Sequence, residues 1–337
     1  MGSMVNDYSK HGNIDEYIYK YHPKKELFKE YRNKWANNKK NELLFLLLET
    51  NSICNFSCSM CIHSVGYEKT KPMSDEIFNQ SVKFIQEMKI PSICLNQINE
   101  PLLDNKIIDR IKAVNSINTV VDTYINTNAS LLNEKKSIEL LNSGLTRLRI
   151  GFDGYSKETF EKAREGSNYE EVLSNILNFL ALKKKLNKIF PIVRISFVRT
   201  SQNELELEEW YEFWKDKVDY ISIQEYLTPV LDNSKNHLIT KNSKRFDVEP
   251  LNITCHSPFE RAIIRGDGNV LPCCSHFATN MVMGNILKQS LNEIWEGSIF
   301  ADLRHNFSSN TWQKHPICSK CLSISYGIEV KDENSRV

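Results

Sequence analysis

From Leu43 onward the chain alternates apolar runs of strand length with stretches of helical period, and this rhythm constrains the fold more than any other feature. The strand-like runs are Leu43–Glu49, Ser92–Gln97, Thr119–Asn126, Arg147–Phe152, Ile192–Val198 and Tyr220–Ile223. Helical periodicity fills the intervals at Ser74–Met88, Asp104–Ser116, Glu134–Ser143, Tyr169–Leu186 and Glu204–Lys217. Such alternation specifies the α/β class, with a parallel sheet and right-handed crossovers. Six units are too few for a closed eight-fold barrel, so the expectation is a partial (β/α)6 TIM barrel. Its chemistry would sit at the carboxyl ends of the strands. The preceding residues 5–42 are polar, aromatic-spotted and rich in Lys and Asn, which predicts one or two helices packed outside the main domain, best over Glu26–Asn37. Met1–Met4 reads as an expression scar and carries no fold information.

Nine cysteines, an odd number gathered in short clusters, do not form a secreted disulfide framework. They read as thiolates kept reduced for metal, in a cytoplasmic protein. Cys54, Cys58 and Cys61 follow the first strand at spacings that let one loop wrap three thiolates around a single centre. Buried cysteines are common in cores, and a CxxC pair often binds zinc or does redox chemistry. Three thiols directly after the polar Glu49-Thr50-Asn51 are hard to explain by packing. A closed zinc site needs four ligands, and so does a [4Fe–4S] cluster held by one thiolate per iron. A three-thiolate loop therefore leaves one iron open to another ligand.

The rhythm stops near Asn242, which divides the chain into an N-terminal extension (1–42), a core (43–241) and a second module (242–337). The second module holds Cys255, Cys273, Cys318 and Cys321. Gly266-Asp-Gly268-Asn269 signals a hairpin between Arg261–Ile264 and Val270–Leu271, and an amphipathic helix is expected near Leu291–Leu303. Four thiolates can converge here, and a zinc ion competes with an iron–sulfur cluster for them. Cys94 lies within a strand and reads as core; Cys274 reads either as a substitute for Cys273 or as a hydrogen-atom donor facing the active site. The 43 Lys and Arg against 42 Asp and Glu show no polybasic block, so neither nucleic acid nor anionic membrane is a favoured partner. The longest uncharged apolar run, Leu43–Leu48, is far too short to span a bilayer, and no signal peptide is evident.

The run Cys54-Asn-Phe-Ser-Cys58-Ser-Met-Cys61 resembles the radical S-adenosylmethionine (SAM) superfamily, in which the open iron of a [4Fe–4S] cluster chelates the amino and carboxylate groups of SAM. The likeness continues in Asn99-Glu100-Pro101-Leu102, similar to the motif that holds the SAM amino group, with Ile98 and Asn99 in place of its glycines. It implies that Met60 takes the place of the aromatic residue on adenine. Gly151 stands where the family has a SAM-contacting serine, and Asp153 is a polar residue at a strand end. Arg164 resembles the arginine that pairs with the SAM carboxylate, a task suited to its planar fork. Asn126, Asn128 and Gln224 are either ribose and adenine contacts or caps and turns.

Gly268-Asn-Val-Leu-Pro-Cys273 resembles the twitch module, a shortened SPASM domain, which implies a small C-terminal α+β domain with an auxiliary [4Fe–4S] cluster and two clusters in all. The cysteine spacing looks most like the 2-deoxy-scyllo-inosamine dehydrogenase branch. The implied function is hydrogen abstraction from a small sugar-type substrate, nucleotide sugar or aminocyclitol, with oxidation of a secondary alcohol. An external one-electron donor such as flavodoxin or ferredoxin would supply the electron. Glu225, Arg199 and Cys274 are the candidate catalytic groups. Peptide modification, as in maturases of ribosomal peptides, and sugar epimerisation with Cys274 as hydrogen donor stand as alternatives. A non-catalytic metal scaffold would have no use for an open iron.

Overall fold

Strands of the expected core form where expected and in the expected order. The computed structural model describes residues 6–37, 41–230, 233–240 and 255–326. Six strands, β2 (Phe45–Leu48), β3 (Ser92–Cys94), β4 (Asp122–Thr127), β5 (Arg147–Gly151), β6 (Ile192–Arg199) and β7 (Tyr220–Glu225), pair in succession and in parallel. The sheet does not close on itself. β1 (Asn6–Ser9) pairs antiparallel with β7, while β8 (Arg261–Ile264), β9 (Asn269–Leu271) and β10 (Gly284–Asn285) continue the sheet beyond β2. The result is one ten-stranded sheet in the order β1-β7-β6-β5-β4-β3-β2-β8-β9-β10.

The alternation within each strand separates two faces. Leu46, Ile93, Ile125, Leu148, Val193, Ile195 and Ile221 enter the main apolar core beneath the helices. Helix Asp75–Glu87 shows why these helices cover that face. It buries Ile77, Phe78, Ser81, Phe84 and Ile85 along one stripe, and Ser74 caps it by accepting from the Ile77 N–H. Helix Tyr169–Lys185 is capped in the same way by Asn168, and it ends in three lysines that complement the helix dipole.

The N-terminal extension does more than pack outside the core. Its helices, Ile14–Tyr21 and Lys25–Ala36, place Ile18, Phe28 and Tyr31 against Leu44, Phe45, Val121, Ile192 and Tyr220. They form an apolar floor at the amino ends of the strands. Beyond the floor, the strand face opposite the helices carries Cys94, Tyr124, Arg149, Arg194, Ser196 and Ser222. The expected C-terminal helix near 291–303 is two helices, Leu291–Glu296 and Ser298–Ser308, separated at Gly297. A Cβ at 297 would stand 2.9 Å from the Glu293 carbonyl. The expected boundary at 241/242 and the tail after Gly327 lie outside the described residues.

Candidate active site

The cysteine loop leaves the carboxyl end of β2 and is tied down on both sides. Ser57 N–H donates to the Glu165 carbonyl at 2.8 Å and Ser59 N–H to that of Ala163 at 2.9 Å. On the opposite side His63 Nε2 lies 3.1 Å from the Ile98 carbonyl, and the Asn128 amide reaches Asn55 Oδ1 at 2.9 Å and Cys54 Sγ at 3.9 Å. Cys54, Cys58 and Cys61 are all half-buried. Burial pushes the Cys58 thiol up to about 12, opposed by the positive charge of Arg164. Cys54 and Cys61 are raised for the same first reason, and Arg164 acts on both. The loop thus holds three protonated thiols beside one cation, a donor set that releases its protons when iron binds.

Arg164 is placed by its own helix, Lys157–Ala163, at whose end it sits. Ser156 caps that helix, and Glu206 accepts from the N–H groups of Tyr155 and Ser156. The guanidinium forms a two-pronged pair with Asp153, Nε at 2.7 Å and Nη2 at 2.6 Å from Oδ2, and Asp153 Oδ1 accepts from Val198 N–H at 2.6 Å. Gly151 makes this possible: a Cβ there would stand 2.0 Å from Arg164 Nη2. The glycine that departs from the family serine is therefore the space in which the arginine lies.

Glu100 is fully enclosed at the end of β3. Its carboxylate accepts from Leu102 N–H at 3.0 Å, Thr127 Oγ1 at 2.8 Å and Asn128 N–H at 2.7 Å. Burial outweighs these donors and raises its pKa to about 7. The carboxylate thus braces the β3 and β4 ends. The neighbouring Asn99 Nδ2 and both polar atoms of the Gln97 side chain are buried with no hydrogen-bond partner. Asn126 donates its N–H and its amide to Asn96 Oδ1, at 2.8 and 3.1 Å, and belongs to the strand-end network. Met60 is half-buried in the cysteine loop. Arg199 and Glu225 are register partners on β6 and β7 and form an ion pair at 2.5 Å; Gln224 lies beside them, across from Val198.

The four C-terminal thiols also come together. Cys255, Cys273, Cys318 and Cys321 line one largely apolar cavity. Cys273 is raised by burial and then by the charges of its neighbouring cysteines, and Cys318 is pushed up to about 12. Cys274 does not line that cavity. It packs instead with Leu47, Cys94, Tyr124, Ile263 and Leu271, and Arg261 Nη1 lies 3.7 Å from its sulfur. Cys94 is 1% exposed in the same cluster, as its core reading requires. Among the described residues, no three His, Cys, Asp or Glu side chains close on the point a single ion would occupy. Zinc draws each ligand to about 2.0–2.3 Å from one centre, whereas a cubane takes each thiolate on a different iron. Three thiols in one loop and four around one cavity have the number and chemistry of the donor sets two cubanes would take.

Sequence reasoning passed over Asn96, Gln97, Arg149 and Arg194. The arginines had a signal, for charged residues at alternate positions of Arg147-Leu-Arg149-Ile and Val193-Arg194-Ile mark a strand face turned away from the apolar core.

Comparison with known proteins agrees with this geometry. The radical SAM superfamily matches residues 48–214, and SPASM, an iron–sulfur cluster-binding domain, matches 255–322. A GTP 3′,8-cyclase of Limosilactobacillus fermentum is 24% identical over 244 residues, 67% of this chain and 71% of the cyclase. The chain spans about half the length of several other curated cyclases it matches. The SAM-dependent 2-deoxy-scyllo-inosamine dehydrogenase of Niallia circulans is 35% identical over 78 residues, 23% of this chain and 31% of that one. Among solved structures, BtrN in complex with AdoMet and 2-DOIA superposes with a TM-score of 0.54 at 20% identity, over 86% of this chain and 96% of BtrN, a likeness of fold. No helix among the described residues is long and apolar enough to cross a membrane.

Proposed function

We propose, for a chain that belongs to the radical SAM superfamily and carries a SPASM iron–sulfur domain, that it oxidises a secondary alcohol of a sugar, nucleotide sugar or aminocyclitol. The observation that carries this reading is the closed set of four thiols around one cavity, with Cys274 turned elsewhere. A cluster held by four protein thiolates has no open iron for substrate, so electron transfer is the role left to it. When bound, the N-terminal cluster with SAM supplies a 5′-deoxyadenosyl radical that takes a hydrogen atom from carbon, and the C-terminal cluster an electron acceptor.

The chain's own residues position and deprotonate. In this reading the Cys54–Cys61 loop and the strand ends around Asn99 and Arg164 hold SAM, with Met60, Asn126, Gly151, Asp153 and Gln224 beside it. Glu100 holds the β3 and β4 ends at fixed separation. The Glu225 carboxylate, oriented by Arg199, takes the proton of the substrate hydroxyl as the carbon becomes a ketone. Residues 43–241 form the radical SAM core and 242–337 the auxiliary domain, with an external one-electron donor such as flavodoxin or ferredoxin. The names of the relatives point to two substrate kinds, a nucleotide and an aminocyclitol.

A second reading, epimerisation, draws support from Cys274, whose sulfur stands on the same strand face as Tyr124 rather than in the cluster cavity. One experiment separates the two. Anaerobically reconstituted protein, expected to hold about eight irons, is given SAM and a panel of carbon-deuterated sugars, nucleotide sugars and aminocyclitols. A dehydrogenase moves deuterium into 5′-deoxyadenosine and yields a ketone, and Cys274→Ala spares it. An epimerase returns an inverted alcohol, and Cys274→Ala stops it after abstraction. Cys54→Ala, Cys58→Ala or Cys61→Ala abolishes 5′-deoxyadenosine formation in either case; deoxyadenosine formation that survives all three substitutions rejects the radical reading.

A further inference from the structure

Two arginines stand opposite each other, and among the described residues neither makes an ion pair. Arg149 on β5 and Arg194 on β6 are register partners, so their side chains leave the same face of the sheet next to each other. Like charges directly opposite destabilise a sheet. The nearby carboxylates are committed elsewhere: Asp122 pairs with Arg147 at 2.9 Å and Glu260 stands 3.4 Å from Arg261. Asp7 on β1 acts on Arg194 only at a distance, and burial together with the Arg149 charge holds Arg194 below its usual range. Among the described residues neither arginine has an ion pair; the Tyr220 side chain hydrogen-bonds to Arg194, but the Nε of each arginine is buried without a hydrogen-bond partner.

The same patch contains two hydroxyls in a matching condition. Ser196 and Ser222 are register partners on β6 and β7, 7% and 0% exposed, and each Oγ is buried without a partner. Tyr124 lies flat under the Arg149 guanidinium, 3.9 Å from ring centroid to carbon, and fixes the direction of its fork. A buried patch with two facing cations and two unsatisfied hydroxyls breaks several local rules at once, and such breaches concentrate at functional sites.

We infer that Arg149, Arg194, Ser196 and Ser222 form a receptor for an anionic group on the substrate, a phosphate ester or a carboxylate. The inference rests on the reading that this strand face receives the substrate. A planar guanidinium fork suits either anion, and the hydroxyls supply the remaining donors. The next residue on this face of β5, Gly151, lies about 7 Å further toward the carboxyl end by strand rise, where it accommodates Arg164. A substrate anchored by its anion would thus direct its other end toward the cysteine loop. Of the two substrate kinds named by the relatives, this favours the anionic one.

The test uses the anaerobically reconstituted full chain, titrated with potassium phosphate, acetate or chloride at matched ionic strength while its thermal midpoint is followed. Phosphate or acetate is expected to raise the midpoint above chloride, and whichever does so identifies a phosphate ester or a carboxylate as the group bound. Arg149→Met and Arg194→Met should each raise the half-saturating concentration by about tenfold or more, as loss of a charge-assisted contact predicts. In chloride alone Arg194→Met should melt higher than the parent, because burial and the facing Arg149 charge both disfavour the Arg194 cation. A lower midpoint there, equal anion response in parent and variants, or no anion response at all overturns the receptor. Formation of 5′-deoxyadenosine by the parent is measured alongside: its presence without an anion response rejects the receptor alone, and its absence rejects the radical reading whatever the anions do.

Discussion

A single missing methyl group decides how Arg164 sits. The guanidinium fills the space a Cβ at position 151 would occupy, and it is held there by Asp153 through two N–H groups. Gly151→Ala must push the arginine off its partner or shift β5. Separating a buried ion pair costs about 3 kcal/mol when one partner is left alone, and partial displacement lowers this to about 1–3 kcal/mol. The urea midpoint should fall accordingly, and the holoenzyme should bind SAM more weakly; an unchanged midpoint would mean that the pair is not held as described. Neither the glycine's purpose nor the pair was legible in the sequence. Motif comparison shows a serine replaced, but the group that takes its volume lies thirteen positions away and becomes its neighbour only when helix Lys157–Ala163 packs. The three-cysteine loop was legible as a unit because its thiols are local. Four scattered cysteines were legible as a set through composition and spacing, while the choice of Cys273 over Cys274 depended on which way the chain turns after β9.

At the level of elements, local pattern was enough for most of the core, where all six strands and the main helices lie within a few residues of their expected limits. It failed for β1. A four-residue polar strand, Asn6–Ser9, has no period to read and exists because the β7 edge offers it a ladder. Asp219 shows what ties that edge together. Its carboxylate accepts from Lys183 at 2.5 Å and Val193 N–H at 2.7 Å, and lies 3.1 Å from His11 Nε2, joining helix Tyr169–Lys185, β6 and the N-terminal turn. Although burial opposes the charge, Lys183 and the Val193 N–H hold this carboxyl below the usual aspartate range. Its stabilising effect is therefore complete above the ordinary aspartate pKa of about 3.9 and is lost as the pH falls below that. Asp219→Asn should cost about 3 kcal/mol at pH 6, and the difference in urea midpoint between parent and variant should shrink toward pH 3. A difference that is constant across this range would exclude the ionised pair as its source.

For the whole molecule, the consequential fact is that the cysteine-bearing C-terminal module and the core share one sheet. The β8 strand lies parallel to β2 over Phe45–Leu48, the strand whose end launches the N-terminal cysteine loop. Its last neighbour, Arg265, reaches Glu49 at 3.2 Å, and Glu49, with no exposed surface, also accepts from Tyr67 at 2.7 Å. Beside this bridge Gly266 passes so close to the Lys71 carbonyl that a Cβ would stand 2.1 Å from it. A chain ending before Cys255 thus loses more than four thiols. It exposes an edge of β2 and leaves Glu49 buried without its cation, a penalty of about 3–5 kcal/mol on top of the lost ladder. Cys318→Ala with Cys321→Ala removes two of the four thiols proposed to hold the auxiliary cluster but keeps β8 and Arg265 in place. The doubly substituted protein should therefore retain about four irons and still cleave SAM, while the truncated chain should retain almost none and aggregate. If the truncated chain held about four irons per molecule and formed 5′-deoxyadenosine at the rate of the doubly substituted one, the shared sheet would have no part in holding the N-terminal loop.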